Sequence, residues 1–420
     1  MDHFQRIDGI MHCEDVPLAE IAAAVGTPVY VYSTATMVRH AEVMRAALAP
    51  LPDPLIAYAV KANPNAAVLT TLARAGLGAD IVSGGEYARA RAAGIPAEKI
   101  VFSGVGKTEA EMAEALRGGL YLFNLESDAE AETMSAVATS LGVTAPVGFR
   151  VNPDVEAGTH AKISTGAAEN KFGIPIDTAL AAYRRAAALP GLAIQGVAVH
   201  IGSQLTDLRP LESAFTRVGA LIRQLRGAGL GIAIADLGGG LGIPHNPALA
   251  DPPSPFDYGA MVRRIAGGWG ARLVFEPGRL IVGNAGILLS RVIRTKPGIS
   301  QPFLIVDAAM NDLMRPALYD AWHKIEAAQP RGGTMVANVV GPVCESGDTF
   351  ATAREMDRVE AGDLVLFRTA GAYSAAMSST YNSRPLTPEV LVDGDRWAVV
   401  RPRVAIADLI AADAVPDWLG

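Results

Sequence analysis

Between about residue 55 and residue 283, short apolar runs alternate eight times with Ala/Leu/Arg/Glu-rich stretches. The runs are Leu55–Val60, Ala79–Val82, Lys99–Ser103, Leu120–Asn124, Ala145–Val151, Leu192–His200, Ile232–Leu237 and Arg272–Glu276. Helical patterns fill the intervals, among them Asn65–Ala75, Gly84–Ala93, Thr108–Arg117, Asp128–Leu141, Thr178–Ala188 and Leu211–Ala228. Strands alternating with helices require right-handed crossovers, and those build a parallel sheet. Eight such units over roughly 250 residues predict an α/β fold, a (β/α)8 TIM-like barrel. A doubly wound open sheet is the competing architecture.

After about Asn284 the pattern changes. Ile287–Thr295, Pro302–Ala308, Thr334–Val340, Asp363–Arg368 and Trp397–Val400 read as strands joined by Gly, Pro and Asp turns. That texture predicts a C-terminal antiparallel β domain, and the strand-like Pro28–Tyr32 near the N-terminus can pair with it. The expected domains are 35–283 for the barrel, and 1–34 with 284–420 for the β domain. Asn152–Pro175 is too long for an idle connection and is expected to be functional.

Composition narrows the classes of function. Half of the 420 residues are hydrophobic and 19% are charged, which provides for a large core and argues against disorder. A net charge of -7 argues against nucleic acid as a partner. Cys13 and Cys344 are the only cysteines, and their spacing fits neither a metal site nor a disulfide framework. No metal is therefore expected, and a cytoplasmic, reducing setting is. The N-terminus lacks the apolar core of a signal peptide, and no apolar run reaches about 18 residues, so no membrane association is expected.

Barrel active sites lie at the C-terminal ends of the strands. Those ends here carry Lys61, Asp80, Arg150-Val-Asn152-Pro153, His200-Ile-Gly202-Ser203, Asp236-Leu-Gly238-Gly239-Gly240 and Glu276-Pro-Gly278-Arg279. A lysine at the tip of an apolar strand is a candidate nucleophile, because desolvation favours its neutral amine. Taken alone, it reads as well as a stem snorkelling to water. If pyridoxal phosphate is the cofactor, the other groups each have a use. Three consecutive glycines offer backbone N–H groups to a phosphate, or form a plain tight turn. Glu276 can hold the pyridine nitrogen protonated, or be a solvated strand end. His200 can stack on the ring, or be a core histidine. Asp80 can orient Lys61 or cap the next helix, and Ser203 can donate to phosphate or serve its turn.

Taken together, these residues make the chain resemble the fold-type III pyridoxal-phosphate decarboxylases, most closely the diaminopimelate decarboxylases. The carriers are Tyr58-Ala-Val-Lys-Ala-Asn63, Asp80-Ile-Val-Ser-Gly-Gly-Glu86, Ser164-Thr-Gly166 with Lys171-Phe-Gly173, His200-Ile-Gly-Ser203, Asp236-Leu-Gly-Gly-Gly240, Glu276-Pro-Gly-Arg279, Cys344-Glu-Ser-Gly-Asp348 and Gly371-Ala-Tyr373. The resemblance runs through nearly the whole chain and itself implies a barrel joined to a β domain. It also implies conversion of meso-diaminopimelate to L-lysine and CO2, the last step of lysine biosynthesis.

By that resemblance Lys61 forms the Schiff base with pyridoxal 5'-phosphate, and His200 stacks on the ring. Ser203, Gly238, Gly239, Gly240 and Tyr373 hold the phosphate, Gly278, Arg279 and Asp80 belong to the cofactor site, and Glu276 pairs with the pyridine nitrogen. Arg279, Arg315, Tyr319, Glu345 and Tyr373 hold substrate. The far end of diaminopimelate is itself an amino acid, so an arginine for its carboxylate and a carboxylate for its ammonium fit that end. Cys344 is the proton donor, supplied by the partner subunit of a homodimer. A thiol near neutral pKa suits that role, although an isolated cysteine more often packs as a small apolar group. A decarboxylase for another amino acid, a non-catalytic cofactor carrier and a Lys61 aldolase are the competing readings.

Overall fold

The computed structural model describes residues 2–156, 170–246 and 248–419. Ser164-Thr165-Gly166, and with it the middle of the Asn152–Pro175 segment, lies outside the described residues. The chain divides into two compact units, one of Val38–Pro244 with Ala250–Ile281, the other of Met1–Met37, His245–Leu249 and Val282–Gly420.

In the first unit eight parallel strands close on themselves: β1 (Leu55–Ala59), β2 (Gly78–Ile81), β3 (Ile100–Phe102), β4 (Leu122–Leu125), β5 (Ala145–Asn152), β6 (Leu192–Val199), β7 (Ile234–Asp236) and β8 (Arg272–Phe275). Pairing of β8 with β1 completes the ring, with Val274 opposite Leu55 and Phe275 opposite Ile56. Closure rules out the open sheet. Every residue of β1 is buried, because one face looks into the barrel and the other meets the surrounding helices. Leu55, Ala57, Val101, Leu122, Ile234 and Val274 come from strands all round the ring and pack as one cluster. They fill the barrel below the strand ends, so any cavity opens above them.

Local chemistry starts the helices where the pattern expects them. Asn65 accepts the Ala67 N–H at 2.9 Å and caps Ala66–Arg74. Thr108 and Glu111 form a capping box on Glu109–Arg117, and Ser127 caps Asp128–Leu141. Thr34–Leu48 and Pro255–Ala266 are among the helices that escape the sequence pattern. The second does carry a legible start, a Ser254–Asp257 capping box with proline in its first turn.

The second unit is built on a mainly antiparallel sheet. Its strand order is Thr349–Asp357, Thr334–Val340, Phe303–Val306, Gly286–Lys296, Val29–Ser33, Glu389–Asp393 and Arg396–Arg401. Leu364–Phe367 pairs with both Gly286–Lys296 and Ile325–Ala327. Val29–Ser33 brings the N-terminal segment into the sheet, with Val31 opposite Ile287. Two pairings are parallel rather than antiparallel: Phe303–Val306 with Thr334–Val340, and Glu389–Asp393 with Val29–Ser33. Leu18, Ile21, Val29, Val31, Ile287, Leu289, Leu366 and Val390 lie in its core cluster. Thr349–Asp357 was not foreseen, because its buried positions do not alternate.

Candidate active site

β1 runs into a single turn, Val60–Ala62, which carries Lys61. The register sets Ala59 opposite Asp80 on β2, and Lys61 Nζ donates to Asp80 Oδ2. Asp80 is fully buried, whereas the Lys61 side chain is 38% exposed. The lysine is thus tethered at the strand end while part of its stem faces open space. The turn beyond it is held locally. The Tyr58 hydroxyl donates to Asn63 O at 3.1 Å, and the Asn65 N–H donates to Asn63 Oδ1 at 3.1 Å.

Above the filled part of the barrel lies a cavity of about 390 Å³. Lys61, Ser103, Asn124, Arg150, Phe172, His200, Asp236 and Glu276 line it. His200 follows β6, and its Nδ1 accepts the Gly239 N–H at 3.2 Å. That bond leaves the ring proton on Nε2. Burial, with Arg150 and Lys61 nearby, holds His200 well below the usual histidine range, so the ring is neutral at pH 7. Arg150 donates to His200 O at 3.3 Å, lies 3.5 Å from Glu126 and stacks over Phe172 at 4.6 Å. Glu126 also accepts the N–H groups of Gly104 and Gly173, at 3.1 and 2.6 Å. One carboxylate after β4 therefore fixes the loops after β3 and β5.

Beside β1 in the ring, the ends of β7 and β8 bring two carboxyl groups, Asp236 and Glu276, within hydrogen-bonding reach of each other. Asp236 accepts from Asn124 Nδ2 at 2.7 Å and from the Gly238 N–H at 2.9 Å. Burial raises Asp236 to about 6. Burial and the nearby Asp236 and Asp80 charges push Glu276 well above the usual carboxylate range. Both cannot be charged at neutral pH, so one proton resides on the pair.

Gly238, Gly239 and Gly240 form the turn after β7, and packing explains why they are glycines. A Cβ on Gly239 would lie 2.2 Å from Glu276 O, one on Gly238 2.5 Å from Val199 O, and one on Gly240 2.5 Å from Gly202 O. Gly238 and Gly240 also have φ of +65° and +114°. Two of the three amides are spoken for, Gly238 by Asp236 and Gly239 by His200. The expectation of three N–H groups facing a phosphate thus contracts to that of Gly240, which has no partner among the described residues. Ser203 lies in the adjoining loop, which is laced to this turn by Leu205 N–H to Gly240 O at 2.8 Å and Gly242 N–H to Leu205 O at 2.9 Å. Gly278 and Arg279 follow β8, and both are buried.

The remaining sequence candidates belong to the second unit. Cys344 and Glu345 are exposed on a tight loop. Buried Asp348 knits that loop by accepting the N–H groups of Met310 and Val343 at 2.6 and 2.7 Å. Asn382 Oδ1 accepts the Cys344 N–H at 2.9 Å. Arg315 is buried at the start of the short helix Arg315–Tyr319, its guanidinium 5.9 Å from the Tyr319 ring. Tyr373 has φ +53°, a left-handed conformation that a bulky residue rarely takes. It follows Gly371, where a Cβ would lie 1.9 Å from Val282 O.

Residues 34–283 match the pyridoxal binding domain of the pyridoxal-dependent decarboxylases. A diaminopimelate decarboxylase from Zymomonas mobilis is 51% identical over 418 residues, 99% of each chain. The chain belongs to the diaminopimelate decarboxylase family. A second relative with that name, from Pseudomonas aeruginosa, is 49% identical over 99% of each chain. The structure of the M. jannaschii diaminopimelate decarboxylase with L-lysine superposes with a TM-score of 0.94 at 36% identity, covering 100% of this chain and 99% of that one.

The pocket fits the family's cofactor in the chemistry of its donors. It presents an amine, a proton-bearing carboxyl pair and a neutral imidazole among its lining groups. Asp80 Oδ1 and Asn124 Oδ1 are buried there without a hydrogen-bond partner, which leaves acceptors for a bound group. Nothing in the sequence pattern marks Asn124, Ser103 or Glu126 for the site. The signal that could have found them is position, since each stands at or just past a strand end. Among the described residues no cluster suits a metal ion, and no helix is long and apolar enough to cross a membrane.

Proposed function

We propose that this chain removes one carboxylate of meso-diaminopimelate as CO2 and releases L-lysine. The observation that carries the reading is that Lys61, held by Asp80, lines the same pocket as the Asp236–Glu276 pair. When bound, pyridoxal phosphate supplies an electron sink for the pair of electrons left by the departing CO2.

The protein's own groups do the rest. Lys61 Nζ would hold the cofactor, with Asp80 keeping that amine in place. The neutral His200 ring would pack against it. Glu276 would serve its pyridine nitrogen, and Gly240, Ser203, Tyr373 and Arg279 would hold its phosphate. Arg315 and Tyr319 grip the distal carboxylate and Glu345 the distal ammonium, each through charge-assisted hydrogen bonds. Cys344 Sγ–H gives a proton to the substrate carbon that lost CO2, and the partner subunit of a homodimer supplies it. Both thiols are unpaired, Cys344 exposed and Cys13 buried, which suits a reducing cytoplasm. The test is stoichiometry: each meso-diaminopimelate consumed should yield one CO2 and one L-lysine. CO2 without L-lysine would overturn the reading.

A further inference from the structure

Four polar side chains close a ring at the floor of the cavity. Asn124 Nδ2 donates both to Ser103 Oγ at 3.1 Å and to Asp236 Oδ2 at 2.7 Å. Ser103 Oγ reaches Glu276 Oε1 at 3.5 Å, and the Asp236–Glu276 hydrogen bond completes the circuit. β7 and β8 build its last side, with Asp236 opposite Val274 in the register and the Glu276 N–H donating to Gly238 O at 2.8 Å.

The two carboxyls are not equivalent. Asp236 accepts two short donors, from Asn124 and the Gly238 N–H, and is 1% exposed. Glu276 accepts one long bond from Ser103 and opens onto the cavity. Donors stabilise the anion that receives them, so the negative charge belongs on Asp236. Asp80 and Lys61 also act on the pair, and Tyr258, on the helix Pro255–Ala266, feels the Asp236 charge.

We propose that Asp236 is a positioning residue, held as an anion by Asn124 and the Gly238 amide, that keeps a proton on Glu276 in the cofactor-free protein. Glu276 O–H then points at Asp236, and the proton sits on the carboxyl that faces the cavity. Glu276 would offer a ring nitrogen placed there a proton already in the pocket, its O–H bond exchanged for an N–H bond with no proton crossing to solvent. The usefulness of this arrangement rests on the pyridoxal-phosphate reading. The arrangement itself belongs to the protein alone, so its failure and that of the reading are distinguishable.

The experiment is infrared difference spectroscopy on the full-length chain freed of cofactor, with folding followed by circular dichroism. At pH 7 the wild type should show the C=O band of a buried carboxylic acid, and Glu276→Gln and Asp236→Asn should each lose it. A wild type without the band, or a band that survives either substitution, overturns the proposal. If Asp236→Asn does not fold, isotope labelling of the wild type serves instead. Carboxyl-labelled glutamate should shift the band to lower frequency and carboxyl-labelled aspartate should leave it in place. A band that moves with the aspartate label puts the proton on Asp236 and contradicts the proposal.

Discussion

His200 Nδ1 accepts the Gly239 N–H, so the histidine after β6 and the glycine turn after β7 are one structural unit. This bond needs an unprotonated Nδ1, and the lowered pKa of His200 supplies it across the neutral range. The sign of the pH effect follows. In the unfolded chain the ring takes a proton at about pH 6.5, but in the folded protein only at lower pH. Its contribution to stability is therefore full above pH 6.5 and is lost as the pH falls toward the folded value, by at most about 1.4 kcal/mol per pH unit. Denaturant unfolding between pH 7 and 5 checks this. His200→Gln should flatten the slope, and an unchanged slope would contradict the assignment.

Lys61→Ala should abolish the visible absorption that the chain develops with pyridoxal phosphate. Asp80→Asn should weaken cofactor binding without abolishing that absorption, because it loosens the Lys61 amine but leaves it present. Absorbance titrations with added cofactor measure both effects.

Gly239→Ala should destabilise the barrel by roughly 1–3 kcal/mol, the usual cost of forcing an atom into filled space. Its Cβ would meet the Glu276 carbonyl at 2.2 Å, and that atom belongs to the backbone and cannot rotate away. Gly268→Ala is the control, since nothing lies within 4 Å of a Cβ there.

The barrel was legible because its signal is repeated. Eight apolar runs end in eight turns, and most residues of the strands are buried, so the alternation survives in sequence. The pocket was legible only where a residue type is unusual at a strand end. Lys61 and Glu276 met that condition, whereas Asn124 and Ser103 resemble any polar residue in a turn. Nor could the sequence show that the Gly238 and Gly239 amides are used inside the protein, since that depends on how β6 and β7 meet. The parallel pairing of Glu389–Asp393 with Val29–Ser33 joins segments more than 350 residues apart, and no local pattern encodes it.

Cys344→Ala should slow turnover by about 10²-fold or more while leaving the cofactor absorption intact, in line with loss of a general acid. Mixing Lys61→Ala with Cys344→Ala chains should restore part of the activity through hybrid dimers. No recovery after mixing would place both groups in the site of one chain.

The most direct measurement is CO2 release from a panel of meso-diaminopimelate, its L,L isomer, ornithine, arginine and lysine at equal concentration. Release from meso-diaminopimelate far above the others, with the preference collapsing in Arg315→Leu, is the predicted result. Equal or faster release from ornithine, arginine or lysine, which carry no distal carboxylate, would contradict the account.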